Sequence, residues 1–124
     1  SIITYQGAPA TTDDGTTAIS AANILTGIVQ CTPTSGRSKA TDTASNLVSG
    51  LSLTQDGDSF DFSIISLTSS AGVDITITGG TGVTLVGMMK VFAQDDVADA
   101  VSVGVGRFRI RRTGATAVTM YRIG

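Results

Sequence analysis

Arginine and aspartate carry most of the chemistry that the side chains of this sequence offer. The chain contains no His and no Glu, so all ten acidic residues are Asp, and Cys31 is the only cysteine. Acid-base catalysis at neutral pH relies mostly on His or on a carboxylate with a raised pKa, and zinc sites rely on His and Cys. What stays open is a carboxylate pair, an Asp-based metal site or no catalysis. We therefore expect a structural or binding protein that is not an enzyme and holds no cofactor.

The clearest local pattern is an alternation of arginine with apolar residues near the carboxyl end. It consists of Arg107, Phe108, Arg109, Ile110, Arg111 and Arg112. In a strand, successive side chains point to opposite faces, so the three odd-numbered arginines share one face while Phe108 and Ile110 enter the core. If the turn at 113–116 takes four residues, Arg122 lies opposite Arg107 and extends the stripe.

Two interpretations of this arginine stripe stay open. Like charges side by side repel, so the stripe is either a solvated face that pairs partly with Asp or an interface whose carboxylates come from a neighbouring subunit or shell. Nucleic acid is a more distant partner, because the net charge is -2, the isoelectric point is near 4.7, and no aromatic residues interleave on the exposed face. We expect Arg107, Arg109, Arg111 and Arg122 to lie at such a contact with a subunit or shell.

Two aspartate clusters and two glycine clusters each have a functional and a structural interpretation. The run 56–61 places three carboxylates within six positions, as a calcium site would, but its spacing also suits a tight turn that leads into a strand. The run 95–99 is a solvated loop or a weak calcium site. The glycines at 79–82 and 104–106 suggest phosphate loops, yet neither continues to Gly-Lys-Ser/Thr, so a hairpin tip and a bent strand are favoured.

The elements that would position these residues are mostly short strands. Alternation or β-branched enrichment predicts strands at 28–32, 59–67, 73–78, 83–92, 101–112 and 117–123, of which 83–92 is one long strand or two strands interrupted at Gly87. The spacing of Ala44, Leu47, Val48 and Leu51 predicts one helix over 43–51, capped by Thr41 or Asp42. Ser20 could also cap a single helical turn ending at Gly27.

Together these elements predict an all-β fold, a small sandwich or barrel of jelly-roll-like form with one short helix. Residues 1–16 form an extended, turn-rich N-terminal arm, and residues 17–124 form a single β-rich domain. The apolar residues of 83–92 are interrupted by Gly87 and Lys90 and fall short of the roughly 20 that cross a membrane. We therefore expect no membrane partner, and a buried free Cys31 formed in a reducing cytoplasm.

Four stretches of the chain resemble small virion proteins of tailed bacteriophages. They are the helix opening 41–44, the strand opening 57–62, the glycine-rich segment 80–87 and the ending 117–123. The resemblance covers roughly residues 17–124. It implies a head decoration, or cement, protein: a β-rich homotrimer, made in the host cytoplasm, that binds the major capsid protein at local threefold positions outside the phage head. Such families have no catalytic residues. Beside this resemblance, we expect the N-terminal arm to reach across to a neighbour and the four arginines to serve subunit or capsid contacts, namely Arg107, Arg109, Arg111 and Arg122.

Two other functions stay open beside the capsid-stabilising trimer. Related β-rich modules occur in tail and fibre proteins, where this chain would bind a host-surface receptor or glycan through Tyr5 or Tyr121. Few aromatic residues are available for stacking on sugars, since the sequence has two Tyr, four Phe and no Trp. An Asp-dependent, calcium-requiring hydrolase acting through Asp58 is the third hypothesis.

Overall fold

The computed structural model describes residues 3–94 and 104–124, which form nine strands and two short helices. The predicted charged loop at 95–100 and the predicted start of a strand at Val101 lie outside the described residues. In chain order the elements are β1 (Ala10–Thr11), α1 (Ala21–Leu25), β2 (Ile28–Cys31), β3 (Arg37–Ala40), α2 (Ala44–Gly50), β4 (Ser59–Ser66), β5 (Ile75–Thr78), β6 (Val83–Val86), β7 (Lys90–Val91), β8 (Val105–Gly114) and β9 (Ala117–Arg122).

The described strands form two mixed sheets, which confirms the predicted β-rich fold. The larger sheet has the strand order β1-β2-β4-β8-β9-β6, and the smaller has the order β3-β5-β7. The pairs β4–β8, β8–β9 and β5–β7 are antiparallel, whereas the other four described pairs are parallel. Parallel neighbours need crossover connections, and here β3 and α2 lie between β2 and its partner β4. A jelly roll is built from antiparallel pairs, so this strand pairing differs from the predicted jelly-roll-like form.

One cluster of buried side chains joins both sheets and both helices. Its members include Ile24, Val29, Leu47, Phe62, Ile64, Ile75, Ile77, Val91, Phe108, Ile110, Val118 and Met120. The alternation predicted over 59–67 is confirmed, because Phe62 and Ile64 are buried while Asp61 is exposed. The rings of Phe62 and Phe108 lie 5.7 Å apart between centroids, which links β4 to β8 on the inner side of the larger sheet.

The described residues contain two helices, whereas the sequence pattern predicts one. Ser20 caps α1 by accepting a hydrogen bond from the backbone N–H of Asn23, and Gly27 follows with a φ of 86°. The cap of α2 is Thr43, one residue later than predicted, and its hydroxyl accepts from the N–H of Asn46. Asp42 lies between the helices and accepts from the N–H groups of Ala21 and Thr43. Neither described helix has the length and apolar character needed to cross a membrane.

β3 is a short polar strand that the sequence pattern did not predict, as is β1 within the predicted arm. Its four residues include Arg37 and Lys39, and it pairs in parallel with β5 along its whole length. Lys39 is 1% exposed, and its ammonium donates to Oδ1 of Asp13 at 2.8 Å. The predicted division of 83–92 at Gly87 is confirmed: β6 ends before this glycine, whose φ is 101°, and β7 begins after it.

Part of the predicted N-terminal arm lies against its own domain. β1 pairs in parallel with β2, so Ala10 lies opposite Val29. Farther on, Asp14 accepts from Nε of Arg37 at 2.9 Å and from the hydroxyl of Thr34 at 2.7 Å. The neighbouring Asp13 binds β3 through its ion pair with Lys39. Within the described residues, the segment from β1 to Asp14 is therefore fixed to β2 and β3 of the same chain.

Candidate interaction surface

The larger sheet has an inner face toward the core and an outer face away from it. On β8 the outer positions are Arg107, Arg109 and Arg111, all exposed, while Phe108 and Ile110 are fully buried. This confirms the predicted orientation of the three arginines. We use the term outer face for the positions Ile28, Gln30, Ser59, Asp61, Ser63, Thr84, Val86, Arg107, Arg109, Arg111, Thr119 and Tyr121.

The central arginine of the outer face is paired within the chain. Asp61 on β4 lies directly opposite Arg109 on β8. Nε and Nη2 of Arg109 donate to Oδ1 and Oδ2 of Asp61 at 2.6 and 2.8 Å, a bidentate arrangement that fixes both side chains. The bond from Arg109 lowers the pKa of Asp61, with a further contribution from the charge of Arg107, and it raises the pKa of Arg109. Both groups therefore stay ionised at neutral pH.

The two arginines at the ends of the stripe, Arg107 and Arg111, are not paired in this way. In the register of β4 and β8, Arg107 lies opposite Ser63 and Arg111 lies opposite Ser59, so neither faces a carboxylate. Within 3–94 and 104–124, no ion pair includes either guanidinium. Three arginines and one aspartate give the outer face a formal charge of +2, in a chain whose net charge is -2. Cross-strand pairing with Asp61 therefore neutralises the centre of the stripe and leaves its two ends unpaired, and the interface interpretation stays a prediction.

Tyr121 and Val86 extend the outer face beside the stripe. Tyr121 on β9 lies opposite Arg109, and Val86 on β6 lies opposite Tyr121. Val86 is 45% exposed, and Tyr121 is half-buried. Interfaces are enriched in tyrosine and arginine compared with the rest of a protein surface. The sequence pattern did not place these residues together because the parallel pair β6–β9 joins segments that are distant in the chain.

Arg122 is not part of the stripe, so the predicted extension through Arg122 is wrong. It lies opposite Phe108, and its guanidinium lies 5.4 Å from the centre of the Phe108 ring. Its Nη1 donates to the carbonyls of Met88 and Lys90 at 3.2 and 2.7 Å, and its Nε donates to the carbonyl of Gly124. Burial lowers its pKa. These contacts join β9 to the start of β7, which is a structural role.

A bulge in the β8–β9 hairpin explains this difference. The prediction assumed a four-residue turn that would place Arg122 opposite Arg107. The strands instead continue to Gly114 and Ala117, and Thr113 is an extra residue on β8 between the pairs Arg112–Val118 and Gly114–Ala117. A shift of one residue moves every side chain of a strand to the opposite face. Arg122 therefore points to the side of Phe108.

Arg112 also lies apart from the exposed stripe. Its Nη1 donates to the carbonyl of Leu53 at 2.8 Å, and its Nε donates to Asp56 at 3.1 Å. Its side chain is 18% exposed. Arg112 therefore fixes the turn before β4 to β8.

The carboxylates at 56–61 have separate roles and do not converge. Asp56 pairs with Arg112, and Asp61 pairs with Arg109. Oδ2 of Asp58 accepts from the N–H groups of Gln55 and Thr54, each at 3.0 Å, and these bonds lower its pKa. The described residues contain no group of three or more His, Cys, Asp or Glu side chains placed to hold a metal ion. At this position the structure supports the turn interpretation.

The glycine-rich turn at 79–82 packs tightly against its own chain. A Cβ on Gly80 would lie 2.5 Å from the carbonyl oxygen of Asp42, and one on Gly82 would lie 2.5 Å from that of Thr116. The backbone N–H of Ala44, at the start of α2, donates to the carbonyl of Thr81 at 2.8 Å. Close backbone approach thus accounts for these glycines, and the turn leads into β6 rather than into the helix that follows a phosphate loop.

No protein-family model, curated protein or solved structure matches this chain.

Proposed function

We propose that this chain is a virion structural protein, a homotrimeric decoration protein that binds the major capsid protein on the exterior of a phage head and stabilises the head. The observation that carries the proposal is the outer face. Its unpaired cations, Arg107 and Arg111, lie on either side of a position where Arg109 and Tyr121 meet. Such a mixture of arginine, tyrosine and apolar surface favours binding to another protein. The sequence resemblance to phage decoration proteins and the scarcity of catalytic residue types support the same function.

Self-association has separate support at one edge of the larger sheet. Among the strands that the structure describes, β6 lies at an edge of the larger sheet, and an edge strand offers unpaired backbone groups to a further strand. Val86 and Met88, in and just after this strand, are 45% and 56% exposed. A homotrimer would repeat one such contact three times by symmetry. We propose that the β6 edge contributes to the contact between copies.

We also propose that the two sheets pack face to face as a small sandwich. The shared core supports this arrangement, as does the closeness of β7 to the inner side of β8: a Cβ on Gly106 would lie 3.0 Å from Cγ2 of Val91. Nuclear Overhauser contacts between the Val91 methyl groups and the Phe108 ring are the expected result. Their absence in the folded protein would refute the sandwich.

The decisive experiment is the protein composition of virus particles purified from the source of this sequence. Quantitative mass spectrometry should find about one trimer per local threefold position of the head. Sedimentation equilibrium of the purified protein should give three times the 12.6 kDa chain mass. Absence from the particles would overturn the proposal, and a monomer at high concentration would overturn the trimer.

A receptor-binding module of a tail or fibre is the second candidate. The observation in its favour is the position of the tyrosines: Tyr5 is 94% exposed, and Tyr121 lies beside Arg109 on the outer face. This function predicts only a few copies per particle and binding to host-surface glycan that Tyr5→Ala or Tyr121→Ala abolishes. Stoichiometric occupancy of the head without glycan binding would exclude it.

A further inference from the structure

We infer that the outer face recognises an extended acidic segment of a partner protein, with two carboxylates four residues apart and an uncharged residue midway between them. Arg107 and Arg111 bind the two carboxylates, and the uncharged residue lies over the Asp61–Arg109 pair. This inference deepens the proposed function, on which it rests, by stating the chemistry of the partner segment.

The charge pattern along β8 is not uniform. Both oxygens of Asp61 are occupied by Arg109, so this pair holds a fixed carboxylate at the centre of the stripe. Arg107 and Arg111, two positions away on either side, have no ion pair among the described residues. The stripe therefore offers two separated cations with a neutral pair between them, rather than one continuous positive patch.

The distance between Arg107 and Arg111 determines the spacing of the carboxylates that they can bind. A strand rises about 3.4 Å per residue, so the backbone positions of Arg107 and Arg111 are about 14 Å apart. A ligand chain in extended conformation has the same rise, and its residues i, i+2 and i+4 point to one side. When such a chain runs along β8, its residues i and i+4 meet the two unpaired arginines and its residue i+2 meets Asp61.

The middle residue of the partner segment, i+2, lies over the Asp61–Arg109 pair. A carboxylate there would meet the carboxylate of Asp61, which already neutralises the charge of Arg109, and like charges in contact disfavour binding. Tyr121 and Val86 lie next to this position across β9 and β6. An apolar or aromatic residue at i+2 therefore has both the right charge and a surface to pack against.

The same pattern argues against a polyanion as the partner. Nucleic acids and sulfated polysaccharides carry closely spaced negative charges and would place one of them against Asp61. A protein segment can place its acids selectively, so it fits the two separated cations better. Guanidinium groups also match carboxylates in bidentate geometry, which adds orientation to the attraction.

Three synthetic seven-residue peptides in a Thr/Val background test the inference. The first carries Asp at positions 2 and 6 with Val at 4, the second carries Asp at 2 and 4, and the third carries Asp at 2, 4 and 6. Binding is followed by nuclear magnetic resonance of the arginine Nε–H signals at low salt. We expect the first peptide to bind about tenfold more tightly than the second. The third should bind more weakly than the first, although it has one more negative charge.

Variants assign the effect to individual side chains. Arg107→Gln and Arg111→Gln should each weaken binding of the first peptide about fivefold, and together they should abolish it. Asp61→Asn should remove the discrimination against the third peptide. The matched control is Lys90→Gln, which removes one exposed positive charge from the smaller sheet and should leave binding unchanged.

Two outcomes would overturn the inference. One is equal binding of the three peptides, and the other is tighter binding of a sulfated oligosaccharide or a single-stranded oligonucleotide than of the first peptide. Failure of the proposed function gives a different result. A protein that discriminates the peptides but is absent from virus particles keeps this inference and loses the virion function, whereas a particle protein that does not discriminate them loses only the inference.

Discussion

Lys39 is buried to 99% of its surface, although it is one of only two lysines in a weakly charged chain. Its ammonium donates to Oδ1 of Asp13 at 2.8 Å and toward the carbonyl of Thr17 at 3.5 Å. A buried charge without a partner is costly, and here the charged partner comes from the segment after β1. The ion pair therefore connects the position of this segment to the stability of the core.

Removing the partner of Lys39 should destabilise the protein more than removing the whole ion pair. Asp13→Asn leaves a buried ammonium without a carboxylate, whereas Lys39→Met with Asp13→Asn replaces the pair by an apolar side chain and a neutral amide. We expect the double variant to unfold at a higher urea concentration than Asp13→Asn alone. A double variant no more stable than the single one would contradict this role for the pair.

Asp14 belongs to the same segment, and its contribution to the stability of the folded state should depend on pH in the acid range. Its hydrogen bond from Arg37, with further bonds from Thr34, lowers its pKa from the usual 3.8 to about 2. A carboxyl whose pKa is lower in the folded state stabilises that state above pH 3.8 and loses this contribution as the pH falls through about 2.

The comparison of wild type with Asp14→Asn tests this dependence. The variant should be less stable at pH 7 and pH 5, and the difference should disappear near pH 2. Urea midpoints at the three pH values, together with a direct titration of the Asp14 carboxyl carbon, are the measurements. A carboxyl that titrates near 3.8 would show that the bonds to Arg37 and Thr34 do not persist in solution.

At the level of elements, the bulge at Thr113 sets which face of β9 enters the core. Deletion of Thr113 would force the hairpin either to reorganise its turn or to slip by one residue. Slippage would move Val118 and Met120, both fully buried, to the outer face. Burial of each such side chain contributes roughly 1.5–3 kcal/mol, so we expect a loss of about 3–6 kcal/mol in unfolding free energy.

Chemical denaturation of the Thr113 deletion variant checks this expectation. Thr113→Ala is the control, since it keeps the extra residue and changes only an exposed side chain. It should remain within about 0.5 kcal/mol of wild type. A deletion variant with wild-type stability would show that the turn absorbs the missing residue and that the bulge does not fix the register.

The elements that could be predicted from the sequence are those in which local alternation and burial agree. β4 and β8 show this agreement, because Phe62, Ile64, Phe108 and Ile110 alternate with polar residues and are buried. β3 could not be predicted in the same way, since three of its four residues are polar and its pairing with β5 is distant in sequence. Local periodicity carries no signal for a buried Lys39.

The sequence predicts which face of the sheet the three arginines occupy, but it does not predict which other residues lie beside them. The alternation at 107–111 places the three arginines on one face without reference to any other strand. The position of Arg122 depends on one bulged residue, and the neighbours Tyr121 and Asp61 depend on which strands pair. Strand order and register are set by the whole packed structure, so a single segment of sequence does not contain them.

At the level of the whole molecule, the shared core predicts a single cooperative unfolding transition. Side chains from both sheets and both helices form one buried cluster, so neither sheet keeps its apolar face covered without the other. Cys31, buried to 98% in β2, provides a local probe of this transition. Its reaction with a thiol reagent and the far-ultraviolet circular dichroism should change at the same urea concentration. Thiol reaction well below the spectroscopic transition would indicate that β2 opens by itself.

The two lysines differ in exposure, and this difference makes it possible to measure local opening around the ion pair of Lys39. Lys90 is exposed and should react readily with an acylating reagent, whereas the buried Lys39 should react only when the segment bearing Asp13 moves away. The ratio of the two acylation rates, read by peptide mass mapping, measures how often that segment detaches while the remaining core is intact. If the proposed trimer forms, the same ratio measured for the monomer and for the trimer reports whether the neighbouring copies protect this segment or release it.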